Sequence, residues 1–223
     1  MGLTDIFKKQ GTSETVTLPK LDVMPREEAA EYRYNLGLVF IEQGLYAEAF
    51  MELKEAMRLG LKTAEAYYNL GLTCAQMDRP EEAIKYYERA LKISPDFVEV
   101  YNNLGIIYSK LGQNLEAIKV YIRAIRLKPD YLDAHNNLGA VYYNSGCYAE
   151  AIKSCKKALQ INPEYSYAHY SLGLIYIDLR DKERAMEEHK ILNALDKDLA
   201  AQLLDAITRE FLINRTFSKD SQA

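Results

Sequence analysis

The chain has 223 residues, of which 48% are hydrophobic and 27% charged, and its net charge is −4. This composition is typical of globular proteins and excludes disordered, collagen-like and disulfide-framework chains, while the acidic balance argues against nucleic-acid binding. No run reaches the roughly 18 apolar residues of a membrane span, and the cysteines form no C-x-x-C pair. We therefore expect a cytoplasmic protein with no nucleic acid and no membrane span.

The segment before residue 26 contains Gly11-Thr12-Ser13 and two prolines, Pro19 and Pro25. Glycine, serine and proline at this density are typical of loops, and chain ends are where disorder concentrates. We predict a flexible leader over residues 1–25.

From residue 30 onward the sequence repeats itself every 34 residues. The pair Leu-Gly recurs in this register at Leu36-Gly37, Leu70-Gly71, Leu104-Gly105, Leu138-Gly139 and Leu172-Gly173. Alanines and prolines keep the same spacing, as in Ala49, Ala83, Ala117, Ala151 and Ala185, then Ala56, Ala90, Ala124 and Ala158, then Pro95, Pro129 and Pro163. A fixed period of this length indicates a repeat architecture in which each repeat is one supersecondary unit.

These Leu-Gly, Ala and Pro positions resemble the pattern of the tetratricopeptide repeat (TPR) family of 34-residue helix-turn-helix units. The resemblance implies an all-α fold, a right-handed α-solenoid of stacked TPR repeats over residues 26–196. Five repeats follow from it: Ala30–Thr63, Ala64–Phe97, Val98–Tyr131, Leu132–Tyr165 and Ser166–Leu199. The departures are Leu61 and Lys197 for proline, Leu192 for the second alanine, and Asp78 and Arg180 for the mid-repeat glycine.

Helical periodicity within a repeat predicts which residues form the core. In the third repeat the first helix places Leu104, Gly105 and Tyr108 on one face, and the second helix does the same with Ala117, Tyr121 and Ala124. The glycine gives up roughly 1 kcal/mol of helix propensity relative to alanine, so we expect another helix backbone to approach closely there. Glycine is predicted to mark the turn between helices and proline to end the second helix.

A stacked array needs its last apolar face covered. After Asp196 an apolar stripe continues at helical spacing through Leu199, Leu203, Ile207 and Phe211. We predict a C-terminal capping helix over residues 197–214 and a disordered tail over residues 215–223.

The opposite face of the first helices is unusual for a solvated surface, because tyrosine, asparagine and aliphatic residues recur where lysine or glutamate is expected. In TPR proteins this face lines the concave surface, so the resemblance implies a peptide-binding groove. Its predicted residues are Tyr34, Asn35, Leu38, Glu65, Tyr68, Asn69, Leu72, Glu99, Asn102, Asn103, Ile106, Asp133, Asn136, Asn137 and Tyr170.

An asparagine ladder gives this groove a mechanism. A side-chain amide offers both donors and an acceptor, so Asn35, Asn69, Asn103 and Asn137 could hold the backbone of an extended peptide whatever its side chains are. The acidic residues at the edge favour a basic or polar ligand. The Asn-Leu-Gly pattern is similar to the peptide-holding repeats of the O-linked N-acetylglucosamine transferase family. In the alternative interpretation, each asparagine bonds to the neighbouring repeat and each tyrosine packs against the next first helix.

Two further features have structural explanations. His135, His169 and Cys74 occupy core positions and are interpreted as packing residues. A basic stripe on the second helices complements the helix dipoles, with a weak site for an acidic partner as the alternative; it comprises Lys85, Arg89, Lys92, Lys119, Arg123, Arg126, Lys153 and Lys157.

The sequence contains no recognisable catalytic motif, such as a P-loop, G-x-S-x-G or H-E-x-x-H. We therefore predict that the protein is not an enzyme and uses no cofactor and no metal. The leading hypothesis is an adaptor that binds another protein or a peptide in its groove. The alternative is a self-assembling scaffold, a homo-oligomer that organises a larger complex.

Overall fold

The computed structural model describes residues 24–213, and these residues are almost entirely helical, with no strand among them. The helices are α1 (Arg26–Glu42), α2 (Tyr46–Leu59), α3 (Ala64–Gln76), α4 (Pro80–Ile93), α5 (Val98–Lys110), α6 (Asn114–Leu127), α7 (Leu132–Asn144), α8 (Tyr148–Ile161), α9 (Ser166–Asp178), α10 (Lys182–Leu195) and α11 (Lys197–Thr208). A π-helical turn, Arg209–Ile213, follows α11. The predicted tail and all but the last two residues of the predicted leader lie outside the described residues.

The chain divides into two compact units, with the boundary between Asn103 and Leu104, inside α5. In the first unit, α1 pairs with α2 and α3 pairs with α4, and α2 packs against α3. In the second unit, α7 pairs with α8 and α9 with α10, and α11 packs against both α9 and α10. The all-α fold of stacked helix-turn-helix repeats with a C-terminal capping helix is therefore confirmed.

The turn between the two helices of a repeat uses the same backbone conformation whether or not glycine is present. Gly44, Gly112 and Gly146 have φ of 71° to 74°, and Asp78 and Arg180, which replace glycine, have φ of 57° and 59°. Placing a residue other than glycine in the left-handed region costs of order 1–2 kcal/mol, and this cost is lower for aspartate. The stacked helices thus impose this turn on residues that do not favour it.

The predicted endings of the second helices are also observed. α4, α6 and α8 end at Ile93, Leu127 and Ile161, two residues before Pro95, Pro129 and Pro163. The carbonyl of each proline then accepts a hydrogen bond from the following first helix, from Tyr101 Oη at 3.0 Å or from a nitrogen of His135 or His169 at 2.9 Å. Both histidines are buried, so their predicted packing role is confirmed.

The glycines of the Leu-Gly pairs make room for a side chain of the second helix. The expectation that a helix backbone makes the closest approach at these glycines is therefore wrong. A Cβ at Gly71 would lie 2.5 Å from ring carbons of Tyr87, and a Cβ at Gly105 would lie 2.5 Å from the ring of Tyr121. Gly37 faces Leu53 and Gly139 faces Cys155 in the same way. In these four repeats the facing residue lies sixteen positions later, on the second helix of the same repeat.

The last repeat is built differently. The residue sixteen positions after Gly173 is His189, but the atoms that a Cβ at Gly173 would meet belong to Leu203 of α11, the nearest at 2.4 Å. Leu203 is fully buried, and Ala200 and Ile207 on the same face are nearly so. The capping helix therefore completes the interior of the last repeat.

Candidate functional site

The predicted groove residues fall into both units, ten in the first and five in the second. In the first unit Asn35, Glu65 and Glu99 are exposed, whereas Tyr34, Leu38, Tyr68, Asn69, Leu72 and Asn103 are half-buried. In the second unit Asp133 is exposed, and Ile106, Asn137 and Tyr170 are half-buried. Asn102 and Asn136 are buried, 5% and 9% exposed, so the structure removes these two from the accessible surface.

In the first unit, hydrogen bonds join the tyrosine of one repeat to the asparagine of the next. Asn69 Nδ2 donates to Tyr34 Oη at 2.8 Å, and Asn103 Nδ2 donates to Tyr68 Oη at 3.3 Å. Asn103 also reaches the hydroxyl of Tyr87 at 3.4 Å. We call these two tyrosine–asparagine bonds the rungs. They agree with the alternative interpretation of the ladder, in which asparagine bonds to the neighbouring repeat.

The rung tyrosines are held by packing as well as by hydrogen bonds. The ring of Tyr68 lies 6.0 Å from that of Tyr87 and 5.0 Å from that of Phe97, centroid to centroid. Burial raises the pKa of Tyr34 and of Tyr68, and the nearby carboxylates Glu65 and Glu99 add to the effect on Tyr34 and Tyr68 respectively. Both hydroxyls therefore stay protonated and uncharged at neutral pH.

The second unit has a hydrogen bond in the same register that involves no tyrosine. Ser171 Oγ donates to Asn136 Oδ1 at 3.2 Å, and Asn136 occupies the register position that Tyr34 and Tyr68 hold in the first unit. The carboxylate of Asp133 accepts a hydrogen bond from Tyr165 Oη at 2.7 Å. Asp133 is exposed but already has a partner at the end of its own repeat.

Sequence reasoning missed a further pair in the second unit. Tyr143 hydrogen-bonds to Asp178, and burial together with this carboxylate raises the pKa of Tyr143 to about 12. Its ring also lies 6.0 Å from that of Tyr148. The signal was present in the sequence, because Tyr143 and Asp178 are 35 residues apart, the same separation as Tyr34 and Asn69.

The buried thiols are inert packing groups. Cys74 and Cys155 are fully buried, and loss of solvation raises the pKa of Cys74 to about 11 and of Cys155 to about 12. Cys147 is exposed and forms no disulfide. Among the described residues no cluster of histidine, cysteine or acidic side chains is suited to a metal ion. No helix in residues 24–213 has the length and apolar character needed to cross a bilayer.

Solved structures with this fold provide the first comparison. A crystal structure of MamA is 25% identical, with a TM-score of 0.66 over 74% of this chain and 96% of that one. YrrB, described as a TPR protein with an unusual peptide-binding site, is 22% identical, with a TM-score of 0.64 over 82% and 98%. PilF from Pseudomonas aeruginosa is 20% identical, with a TM-score of 0.69 over 87% and 99%.

Family models provide the second comparison. No curated protein sequence gave a significant match. Models of the tetratricopeptide repeat match residues 30–59, 64–97, 86–119, 132–165 and 166–188, and a TPR repeat model matches residues 107–146. Together these matches cover most of the chain, and those that begin at residues 30, 64, 132 and 166 are in the register that the Leu-Gly pairs define. The chain belongs to the tetratricopeptide repeat family.

Proposed function

We propose that the protein is a non-catalytic adaptor that binds an extended segment of a partner protein on the first-helix face, through the asparagine ladder. The fold is of the kind used for protein interaction. The observation that carries the proposal is the pair of rungs in the first unit, at 2.8 Å and 3.3 Å, because they fix amide groups on a half-buried face.

The rung between Tyr34 and Asn69 leaves peptide-binding capacity in the amide, whereas Asn103 Nδ2 is shared between Tyr68 and Tyr87 and leaves mainly its carbonyl oxygen. A side-chain amide has two N–H donors and one carbonyl acceptor, and the bond from Asn69 to Tyr34 uses a single N–H. The carbonyl oxygen and the second N–H suit a peptide backbone, which offers one donor and one acceptor per residue. Fixing the amide in advance lowers the entropic cost of binding. The rung therefore supports the ladder by holding it in place.

Charge defines the expected partner segment. Glu65 and Glu99 are exposed beside the rungs, and Glu31, at the equivalent place in the first repeat, is exposed too. Acidic side chains at the edge of a binding site favour partners with lysine or arginine and speed association. Since Asp133 is bonded to Tyr165, we assign the acidic edge to the first unit. The partner segment is thus extended and basic or polar.

Selection from a random-peptide phage library on the full chain tests this proposal. Selected peptides are synthesised, and their Kd is measured by fluorescence anisotropy for the native protein and for Asn69→Ala/Asn103→Ala. Two lost hydrogen bonds are expected to weaken binding by about tenfold or more. The control Asn193→Ala/Gln202→Ala removes two exposed amides elsewhere and is expected to bind as the native protein does.

Two outcomes would overturn the proposal. One is that the folded double variant, checked by circular dichroism, binds the selected peptides with unchanged Kd. The other is that selection yields no binding peptide. Light scattering over a range of concentrations tests the scaffold alternative on the same sample, because an adaptor is expected to keep a constant mass and a self-assembling scaffold to grow.

A further inference from the structure

A second surface of the first unit differs from the rungs in composition and has the chemistry of a binding site. Between the second helices α2 and α4 lies a cleft of about 610 Å³. Its apolar side chains are Phe50, Met51, Met57 and Tyr86, and its basic side chains are Lys54, Arg58, Lys62 and Arg89. We call this the outer cleft.

The basic side chains give the outer cleft a charge opposite to that of the chain. Four cations and one carboxylate, Glu55, line it, whereas the whole chain has a net charge of −4. Glu55 is held by Arg58 through hydrogen bonds of 2.7 Å and 2.8 Å. Lys54, Lys62 and Arg89 form no ion pair with any described carboxylate. Three cations are therefore not neutralised by a carboxylate, although Lys54 donates to Tyr86 Oη at 3.4 Å and Arg89 lies over the ring of Tyr67.

The apolar side chains give the outer cleft an exposed hydrophobic surface in addition to its positive charge. Met51 is 71% exposed, the most exposed large hydrophobic side chain among the described residues. The rings of Phe50 and Tyr86 meet edge to face, 6.4 Å apart. A flexible thioether next to aromatic rings adapts to apolar side chains of different shapes. A ligand with an aliphatic or aromatic side chain thus gains from covering Met51.

Nucleic acid fits this cleft less well than a peptide does. Binding of single strands relies on open aromatic faces on which bases stack. Here Lys54 Nζ and Arg79 each lie 5.9 Å from the centroid of Phe50, and Lys54 Nζ also donates to Tyr86 Oη at 3.4 Å. Phe50 is thus already in contact with two cations and with the ring of Tyr86, and the carboxylates and apolar side chains of a peptide are the better match for the groups that remain.

The corresponding cleft of the second unit shows that these features are not a property of every repeat. Sixty-eight residues after Lys54, Met57 and Tyr86 the sequence has Ile122, Ile125 and Ser154, and these line a smaller cleft of about 280 Å³. The aromatic pair and the central lysine are absent there. The combination of rings, methionine and lysine therefore distinguishes the outer cleft from this equivalent cleft.

We propose that the outer cleft binds an acidic peptide segment of a partner protein, in which carboxylates flank an aliphatic or aromatic residue. The carboxylates pair with Lys54, Lys62 and Arg89, and the apolar side chain packs on Met51 and Tyr86. This site is separate from the rungs, which favour a basic segment. One protein would thus present two binding faces of opposite charge preference.

The test uses fluorescein-labelled synthetic peptides and the full chain. The probe has a central Leu-Phe pair with three acidic residues on each side. Comparison peptides replace the acidic residues with lysine or the apolar pair with serine. We expect the probe to raise the anisotropy in a salt-sensitive way, and each comparison peptide to bind at least about tenfold more weakly. No saturable binding of the probe would overturn the proposal.

Variants locate the site. Lys54→Glu/Arg89→Glu and, separately, Met51→Ser are expected to weaken binding of the probe by about tenfold or more, because each removes one half of the recognition. The control Lys156→Glu/Lys197→Glu makes the same charge change at exposed positions of the second unit. A second control, Asn69→Ala/Asn103→Ala, removes the ladder amides. Both controls are expected to bind the probe as the native protein does. Equal weakening by the charge control, or equal competition by a short oligothymidine, would overturn the proposal.

Discussion

The second and last repeats close their interiors in different ways. In the second repeat Gly71 lies under Tyr87, which belongs to the same hairpin. In the last repeat the equivalent position is His189, which is half-buried, and Leu203 of α11 covers Gly173 instead. An inner hairpin therefore supplies its own large side chain, whereas the last hairpin is completed by the helix that follows it. The capping helix is part of a repeat core as well as a cover for it.

The largest expected effect tests this role of the cap. Leu203→Ala removes a fully buried side chain and leaves a cavity over Gly173, so we expect a loss of about 3 kcal/mol in the free energy of unfolding. Chemical denaturation measures it, and hydrogen exchange should show the loss of protection concentrated in α9 and α11. The neighbouring Leu204 is 41% exposed, so Leu204→Ala is the matched control. Equal losses for the two variants would show that α11 adds only helical length.

The second prediction concerns the inner repeat. Gly71→Ala would place a Cβ 2.5 Å from the ring of Tyr87, and we expect it to lower the free energy of unfolding by about 2 kcal/mol through overpacking. Helix propensity by itself would make the same change stabilising by roughly 1 kcal/mol. Combining it with Tyr87→Leu, the residue type that Gly37 faces, should cost less than the sum of the single changes. Stabilisation by Gly71→Ala would contradict the assigned contact.

The third prediction uses a buried pair found in the last repeat. His169 Nδ1 lies 2.6 Å from a carboxylate oxygen of Glu188, and this hydrogen bond raises the pKa of His169 above its ordinary value of 6.5. A raised folded pKa adds stability that is complete below the unfolded pKa and is lost as the pH rises through the folded pKa. The melting temperature should therefore fall as the pH rises above about 6.5.

Glu188→Gln separates this effect from other titrations. The amide keeps the size of the side chain but removes the charge, so the decline in melting temperature between about pH 6 and about pH 9 should flatten. His135 has the same bond to a proline carbonyl as His169, which makes His135→Gln a useful comparison for packing alone. An unchanged slope in Glu188→Gln would mean that another group causes the pH dependence.

Much of this molecule could be predicted from local patterns. The 34-residue period fixed the hairpins, Pro95 and its equivalents gave the ends of second helices, and the stripe through Leu203 and Ile207 gave the cap. The candidate site was harder to predict from the sequence. Tyr34 and Asn69 were both named from the sequence, but the hydrogen bond between them was only one of two alternatives. Tyr143 and Asp178 were missed, because a pattern search along one helix does not pair residues on adjacent helices.

The sequence by itself determined the repeat, the family and the all-α fold, since helix formation and hairpin packing depend on residues close together in the chain, whose spacing is visible in the sequence. Only the tertiary structure decided which amides are held by tyrosines, which side chain covers Gly173 and which exposed methionine lies beside basic residues. These contacts join Tyr34 to Asn69, Gly173 to Leu203 and the surroundings of Met51 to Arg89, pairs that are 30 or more residues apart. They depend on how closely the helices pack, to within a few tenths of an ångström, so spacing in the sequence can suggest such a pair but does not decide that the contact forms.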